Sequence, residues 1–240
     1  MNRDKIINTL LFSFFLSLPV IYYYRKDLTE YLSSNRWKYR HVLTWPRLAI
    51  LGRFEESRLA HKFLRNLSGI EIGASAHNPF GLNTKNVDFT LSNSTIFKLE
   101  EKYMTGTFAK VDVVASGDDL PFPDGSQDFV ISAHVIEHFY DPIKAIKEWL
   151  RVVRPEGFVF IIAPHKLRTF DRYRNRTTLD ELLDRHAHPN PPLPDDHRHY
   201  TVWITEDLLE LCNFFKWKVV AWQDSDDKVG NGFTVIIQKE

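Results

Sequence analysis

Short apolar runs alternate with amphipathic stretches over residues 66–240. Gly69-Ile-Glu-Ile-Gly73, Asn86-Val-Asp-Phe89, Val111-Asp-Val-Val-Ala115, Asp128-Phe-Val-Ile-Ser-Ala133 and Phe158-Val-Phe-Ile-Ile-Ala163 read as five strands. Residues 216–222 and 233–238 supply two more. Between the fourth and fifth, Pro142 to Val153 carries Ile143, Ile146, Trp149, Leu150 and Val153 at helical spacing, with Pro142 suited to a helix start. Gly157 suits the turn behind that helix. Thr205 precedes another helix, whose apolar side is Leu208, Leu209, Leu211 and Cys212. Residues 54–67 place Phe54, Leu59, Phe63, Leu64 and Leu67 on one face of a further helix. Strands alternating with helices predict an α/β fold, doubly wound around a mostly parallel seven-stranded sheet. The connection at 223–232 is too short for a crossover helix, so the last strand should run antiparallel.

The start of the chain has a different pattern. Ile6 to Tyr24 holds no charged residue. That is about 19 residues, just enough to cross a hydrocarbon core of ~30 Å as a helix. Arg25 and Lys26 follow it, then Arg36, Lys38 and Arg40, and Tyr22, Tyr23 and Tyr24 stand where interfacial aromatics belong. The pattern predicts a membrane anchor at 1–26 with the main body facing the cytoplasm. Asn8, Thr9, Ser13, Ser17 and Pro19 dilute the apolarity, so a docked helix of a cytoplasmic protein is the competing reading, and a cleaved signal peptide a third. A basic, aromatic neck covers 27–65, and the main domain covers 66–240.

Composition narrows the field. The 240 residues carry 31 Lys+Arg and 31 Asp+Glu, so net charge is zero, which argues against a nucleic-acid partner. With 43 % hydrophobic and 26 % charged residues, the chain is neither disordered nor polytopic in a membrane. The single cysteine, Cys212, excludes an internal disulfide and a Cys-rich zinc site. Oligomeric state is not legible.

Five ordered motifs carry the chemistry. They are Glu71-Ile-Gly73-Ala-Ser-Ala76 after strand one, Asp88 at the end of strand two, and Leu120-Pro-Phe-Pro-Asp-Gly-Ser-Gln-Asp128 leading into strand four. Val135-Ile-Glu137-His138 and Leu150-Arg-Val-Val-Arg-Pro-Glu-Gly157 complete the set. In this order and spacing the chain resembles the class I S-adenosylmethionine-dependent methyltransferases, in their type 11 branch. The resemblance implies a Rossmann-like sheet with S-adenosyl-L-methionine as cofactor. A glycine turn lets backbone approach the donor, so Gly73 and Ala74 are candidate cofactor contacts. Asp88, 15 residues after Gly73, would take the ribose hydroxyls. Glu71 would orient the loop or meet the donor's amino group. Asp118 is the adenine candidate, set against a turn-forming role, and His134 lies beside the donor at the end of strand four. For His138, a helix-start or packing role stands beside a chemical one. Where the family has further glycines, this chain has Ala74, Ser75 and Ala76; Asn78 and Gly81 could supply the missing left-handed conformations.

The acceptor side falls in a long insertion, 164–204. It holds His165, His186, His188, His197 and His199, half of the ten histidines, together with Asp171, Arg174 and Trp203. Residues 177–186 predict a short helix. Methyl transfer to a hydroxyl needs in-line alignment and loss of a proton, a role suited to histidine. The candidate catalytic bases are His165, His197 and His199. A His-x-His behind Asp195 and Asp196 could instead hold a divalent metal, and a polar lid with no chemical part is the third alternative; no metal ligand is assigned. The expected function is O-methylation of a small polar or saccharide acceptor, in membrane context a lipid-linked one. The alternatives are a catalytically silent, membrane-tethered binding protein and an N- or C-methyltransferase acting on a lipid or quinone.

Overall fold

The computed structural model describes residues 54–189 and 198–240. The predicted anchor at 6–24 and most of the neck lie outside the described residues, as do Asp195, Asp196 and His197. Among the described residues no helix is long and apolar enough to cross a membrane.

The chain begins with α1 (Arg58–Leu64), capped by Ser57, whose hydroxyl accepts the Ala60 N–H at 2.9 Å. Then come β1 (Ser68–Ile72), β2 (Asn83–Asp88), α2 (Ile96–Thr105), β3 (Val113–Val114), β4 (Gln127–Ala133) and α3 (Pro142–Val152). After these follow β5 (Val153–Pro164), α4 (Leu179–Ala187), α5 (Thr205–Phe214), β6 (Lys218–Gln223) and β7 (Gly232–Gln238). The strand order is β3-β2-β1-β4-β5-β7-β6. Strands β1 to β5 pair in parallel, and β7 runs antiparallel between β5 and β6. The doubly wound sheet and its antiparallel last strand are as the patterning predicts.

Alternation along the strands feeds two cores. Ile70, Val130, Ile161 and Val235 face a layer built from Ile143, Ile146 and Trp149 of α3 and Leu208 and Leu211 of α5. Phe129, Ile131, Phe160 and Ile236 face the other way, onto Ala60 and Leu64 of α1 and onto Phe80. The helix in the sequence-defined neck therefore forms part of the domain's second layer.

Two elements differ from the patterning. Gly157 is not in a turn: α3 passes directly into β5, and Gly157 lies inside that strand. A Cβ there would stand 2.4 Å from the Asp128 carbonyl oxygen, so the close approach of β4 demands glycine. The left-handed residue is its neighbour Glu156, at φ +63°, where the β4–β5 register shifts. Helix α2 turns its apolar stripe outward, with Phe97, Leu99 and Tyr103 exposed. Its buried side chains are Lys98 and Glu101, and its ends are set by the Thr95 cap and by Gly106 at φ +74°.

Candidate active site

Ligands of open α/β sheets bind beyond the carboxyl ends of the strands. Four sequence-predicted residues meet there. Gly73 follows β1 at φ +67°, and a Cβ would stand 2.9 Å from Val135, so backbone freedom and space both call for glycine. The loop behind it is held without further glycines in tandem. The Ala74 N–H donates to Asn86 Oδ1 at 3.0 Å and the Ala76 N–H to Glu101 Oε1 at 2.5 Å. The next left-handed residue is Gly81, at φ +66°; Asn78 keeps a negative φ. Asp88 ends β2, buried, with Oδ2 3.3 Å from Lys98 Nζ. Lys98 also pairs with Glu101 Oε2 at 3.1 Å. Glu101 Oε1 further accepts the Ala109 N–H at 2.6 Å, so α2 ties the loop after β1 to the strand-two acid.

Glu71 is buried on β1, and burial pushes its carboxyl up to about 7, opposed by the charge of Lys228. Burial lowers the Lys228 ammonium to about 8, opposed by Glu71. Asp118 sits in the turn after β3, bonded to the Ser116 hydroxyl and 2.9 Å from Lys144 Nζ. The first contact lies within the turn, and the second reaches α3.

His134 follows β4 at φ +55°, an unusual conformation for a non-glycine residue. It opens the segment that carries Glu137 and His138. Glu137 is 1 % exposed, yet its Oε2 has no hydrogen-bond partner among the described residues. Three imidazoles surround its other oxygen: His138 Nε2 at 3.8 Å, His199 Nε2 at 3.9 Å and His134 Nδ1 at 4.0 Å. His199 arrives from the insertion because Tyr200 and Thr201 donate their N–H groups to the Glu137 carbonyl, at 2.8 and 3.3 Å. Its Nδ1 lies 2.6 Å from buried Asp171, which in turn pairs with Arg174 at 2.7 Å. His199 is shifted upward, burial being outweighed by Asp171 and Glu137; burial lowers His138. The Phe97 ring of α2, next to Lys98, packs on His138 at 5.1 Å, so α2 and the histidine cluster adjoin.

His165 stands elsewhere. It caps the short turn after β5, its Nδ1 accepting the Leu167 N–H at 3.2 Å. Its Nε2 is 3.6 Å from Asp224, and its ring packs on Phe233. These are the contacts of a structural cap. His186 pairs with Asp141 at 2.8 Å, next to α3. Sequence reasoning singles out Glu137 and His138 but not their junction with Asp171, which is 34 residues from Glu137 in sequence.

Residues 68–161 match the family described as a methyltransferase domain. A probable S-adenosylmethionine-dependent methyltransferase of Mycolicibacterium smegmatis is 39 % identical over 78 residues, 28 % of this chain and 30 % of that protein. An uncharacterized methyltransferase of Mycobacterium sp. (strain KMS) is 49 % identical over 49 residues, 20 % of this chain and 19 % of that protein. The chain thus matches less than a third of the length of either. Among solved structures, a SAM-dependent methyltransferase of Thermotoga maritima, described as a possible histamine N-methyltransferase, superposes with a TM-score of 0.51. It is 18 % identical and covers 92 % of this chain and 100 % of that one, a likeness of fold.

Proposed function

We propose that this chain, which carries a class I S-adenosylmethionine-dependent methyltransferase domain of the type 11 branch, methylates a hydroxyl of a small polar acceptor. The reading rests on one observation: Asp171 holds His199 so that its Nε2 faces buried Glu137, beside the half of the sheet that receives the donor. Gly73 and Ala74 would line the donor's methionine part. Asp88 would accept the ribose hydroxyls, with Lys98 swinging aside or remaining as its second partner. Glu71 would meet the donor's ammonium, and His134 would border the sulfonium. The acceptor hydroxyl loses its proton at the Glu137–His199 cluster. Its oxygen bonds to the methyl carbon as the carbon–sulfur bond breaks, and S-adenosylhomocysteine leaves. Arg and His side chains of the insertion suit a saccharide acceptor. A lipid-linked saccharide is the form that fits a chain tethered by residues 6–24.

The deciding experiment is transfer from methyl-labelled donor into a cell extract, with fractionation of the labelled product. A labelled ether on a hydroxyl compound supports the reading, and label on nitrogen or carbon overturns it. Calorimetry tests the silent-protein alternative, which holds if no donor binds up to millimolar concentration. Asp88→Asn should weaken donor binding roughly 10- to 100-fold, since a charged hydrogen bond contributes about 1.5–3 kcal/mol; unchanged affinity refutes the ribose role. Deleting residues 1–26 should release the protein from membranes, and retention there overturns the tether.

A further inference from the structure

We infer that Glu137, His138 and His199 form a binding site for a divalent first-row transition cation, with Asp171 as its positioning residue. The inference deepens the proposed O-methylation, since a cation here would bind and acidify the acceptor hydroxyl.

The first ground is convergence. One ligand atom from each of the three residues lies within 4.8 Å of the other two. The pairs measured from Glu137 Oε1 are 3.8 and 3.9 Å. Ligands about 2.0–2.2 Å from one ion are separated by roughly 3–3.5 Å, so small side-chain rotations close the site.

The second ground is independent of the first. Both imidazoles are held from behind. His138 Nδ1 lies 3.0 Å from the Arg198 carbonyl oxygen, and His199 Nδ1 lies 2.6 Å from Asp171. A carbonyl can only accept, so His138 carries its proton on Nδ1 and turns a lone pair on Nε2 toward Glu137. The Asp171 carboxylate selects the same tautomer for His199. This carboxylate–histidine arrangement is how proteins orient metal-ligating imidazoles.

The third ground is an unmet need. A buried carboxylate oxygen without a partner costs free energy, and Glu137 Oε2 is such an atom. A cation held by both oxygens of the Glu137 carboxylate would satisfy it. The donor set also indicates which cation. Two imidazoles with one carboxylate favour manganese, iron, cobalt or zinc over magnesium or calcium, which prefer oxygen. Three protein ligands leave positions open for the acceptor. A hydroxyl bound there would ionise near neutral pH, release its proton to solvent because Glu137 and His199 would then be occupied as ligands, and present an oxygen nucleophile to the methyl group.

The test uses the full chain without methyl donor, so a failure of donor binding leaves it intact. After chelation and dialysis, the protein is titrated with Co²⁺ and followed by visible absorption and calorimetry. One equivalent should bind with imidazole-type bands. Glu137→Gln and His199→Ala should each weaken binding at least about 10-fold, and Asp171→Asn by roughly 10- to 100-fold, as for outer-shell partners of metal sites. Melting curves confirm that each variant folds, and the isosteric Glu137→Gln decides if His199→Ala does not. The site is overturned if no Co²⁺, Mn²⁺ or Zn²⁺ binds below millimolar concentration, or if Glu137→Gln leaves binding unchanged. In a separate assay with methyl donor, transfer at the full rate by chelated protein would overturn the cation's role in acidifying the acceptor.

Discussion

Two buried charged clusters flank the carboxyl ends of the strands, and they are built on opposite principles. Around Lys98, each charge has its counterpart: Asp88 at 3.3 Å, Glu101 at 3.1 Å, and two backbone N–H groups on the other Glu101 oxygen. Around Glu137, three imidazoles stand 3.8–4.0 Å away, and one carboxylate oxygen has no partner among the described residues. The first cluster closes its ion pairs on itself and fixes a loop, although Glu101 Oε2 makes no hydrogen bond among the described residues beyond its ion pairing with Lys98. The second keeps room for something else. A satisfied buried network rigidifies a fold, whereas an incomplete one is tolerated where function needs it.

The largest expected effect lies in the closed cluster. Glu101→Ala removes the acceptor of the Ala76 and Ala109 N–H groups and one partner of buried Lys98. Lys98 keeps Asp88 as a partner, but two N–H groups lose their acceptor, at a cost of about 1–3 kcal/mol each. Chemical denaturation should show a loss of that size, and a loss below about 1 kcal/mol would mean that α2 does not anchor the loop.

The next effect comes from Glu71, buried on β1. Its folded-state value of about 7 exceeds the ordinary 4.5. The folded chain therefore holds this proton more tightly than the unfolded one. Stability is full below about 4.5 and falls as pH rises toward 7, by up to about 3 kcal/mol. Glu71→Gln should flatten that part of the stability–pH curve; an unchanged slope refutes the assignment. Lys228, lowered to about 8, adds the opposite trend, with stability regained as pH rises from 8 toward 10.5.

Much of this contrast follows from what a sequence can display. Strand ends are readable because apolar runs stop there, and so Gly73, Asp88 and His134 are legible. The closed cluster is not, because the apolar periodicity of α2 marks the wrong face: Phe97, Leu99 and Tyr103 are exposed while Lys98 and Glu101 are buried. The open cluster is half readable. His199 and the Glu137–His138 pair each stand out, but 61 residues separate His138 from His199. Their meeting depends on the Tyr200 and Thr201 hydrogen bonds to the Glu137 carbonyl, which no local pattern encodes. His165, directly behind a strand, is legible as a candidate in the same way, and the structure adds that it caps a turn.

The open cluster predicts a smaller and opposite stability effect. Glu137→Gln keeps the shape of a side chain whose Oε2 accepts no hydrogen bond from the described residues. In chelator at about pH 8, the midpoint of unfolding should rise or stay within about 1 kcal/mol, although methyl transfer falls. A loss comparable to that of Glu101→Ala would show that Glu137 is a structural ion partner and would erase the contrast.

The smallest effect tests where the donor half ends. Asp118 pairs with Lys144, whose side chain is 51 % exposed, and bonds the Ser116 hydroxyl within the turn after β3. A solvent-exposed pair of this kind contributes less than about 1 kcal/mol, so Lys144→Ala should barely move the unfolding midpoint. Its value lies in the donor affinity. If Asp118 accepts a hydrogen bond from the adenine amino group, removing its competing cation leaves that bond intact or strengthens it. Asp118→Ala then weakens donor binding both with Lys144 in place and in the Lys144→Ala background. If Asp118 only shapes the turn, Asp118→Ala lowers stability slightly and leaves the affinity of the folded protein unchanged in both. Equal donor affinities for all four proteins would confine the donor site to the loop after β1, the end of β2 and His134.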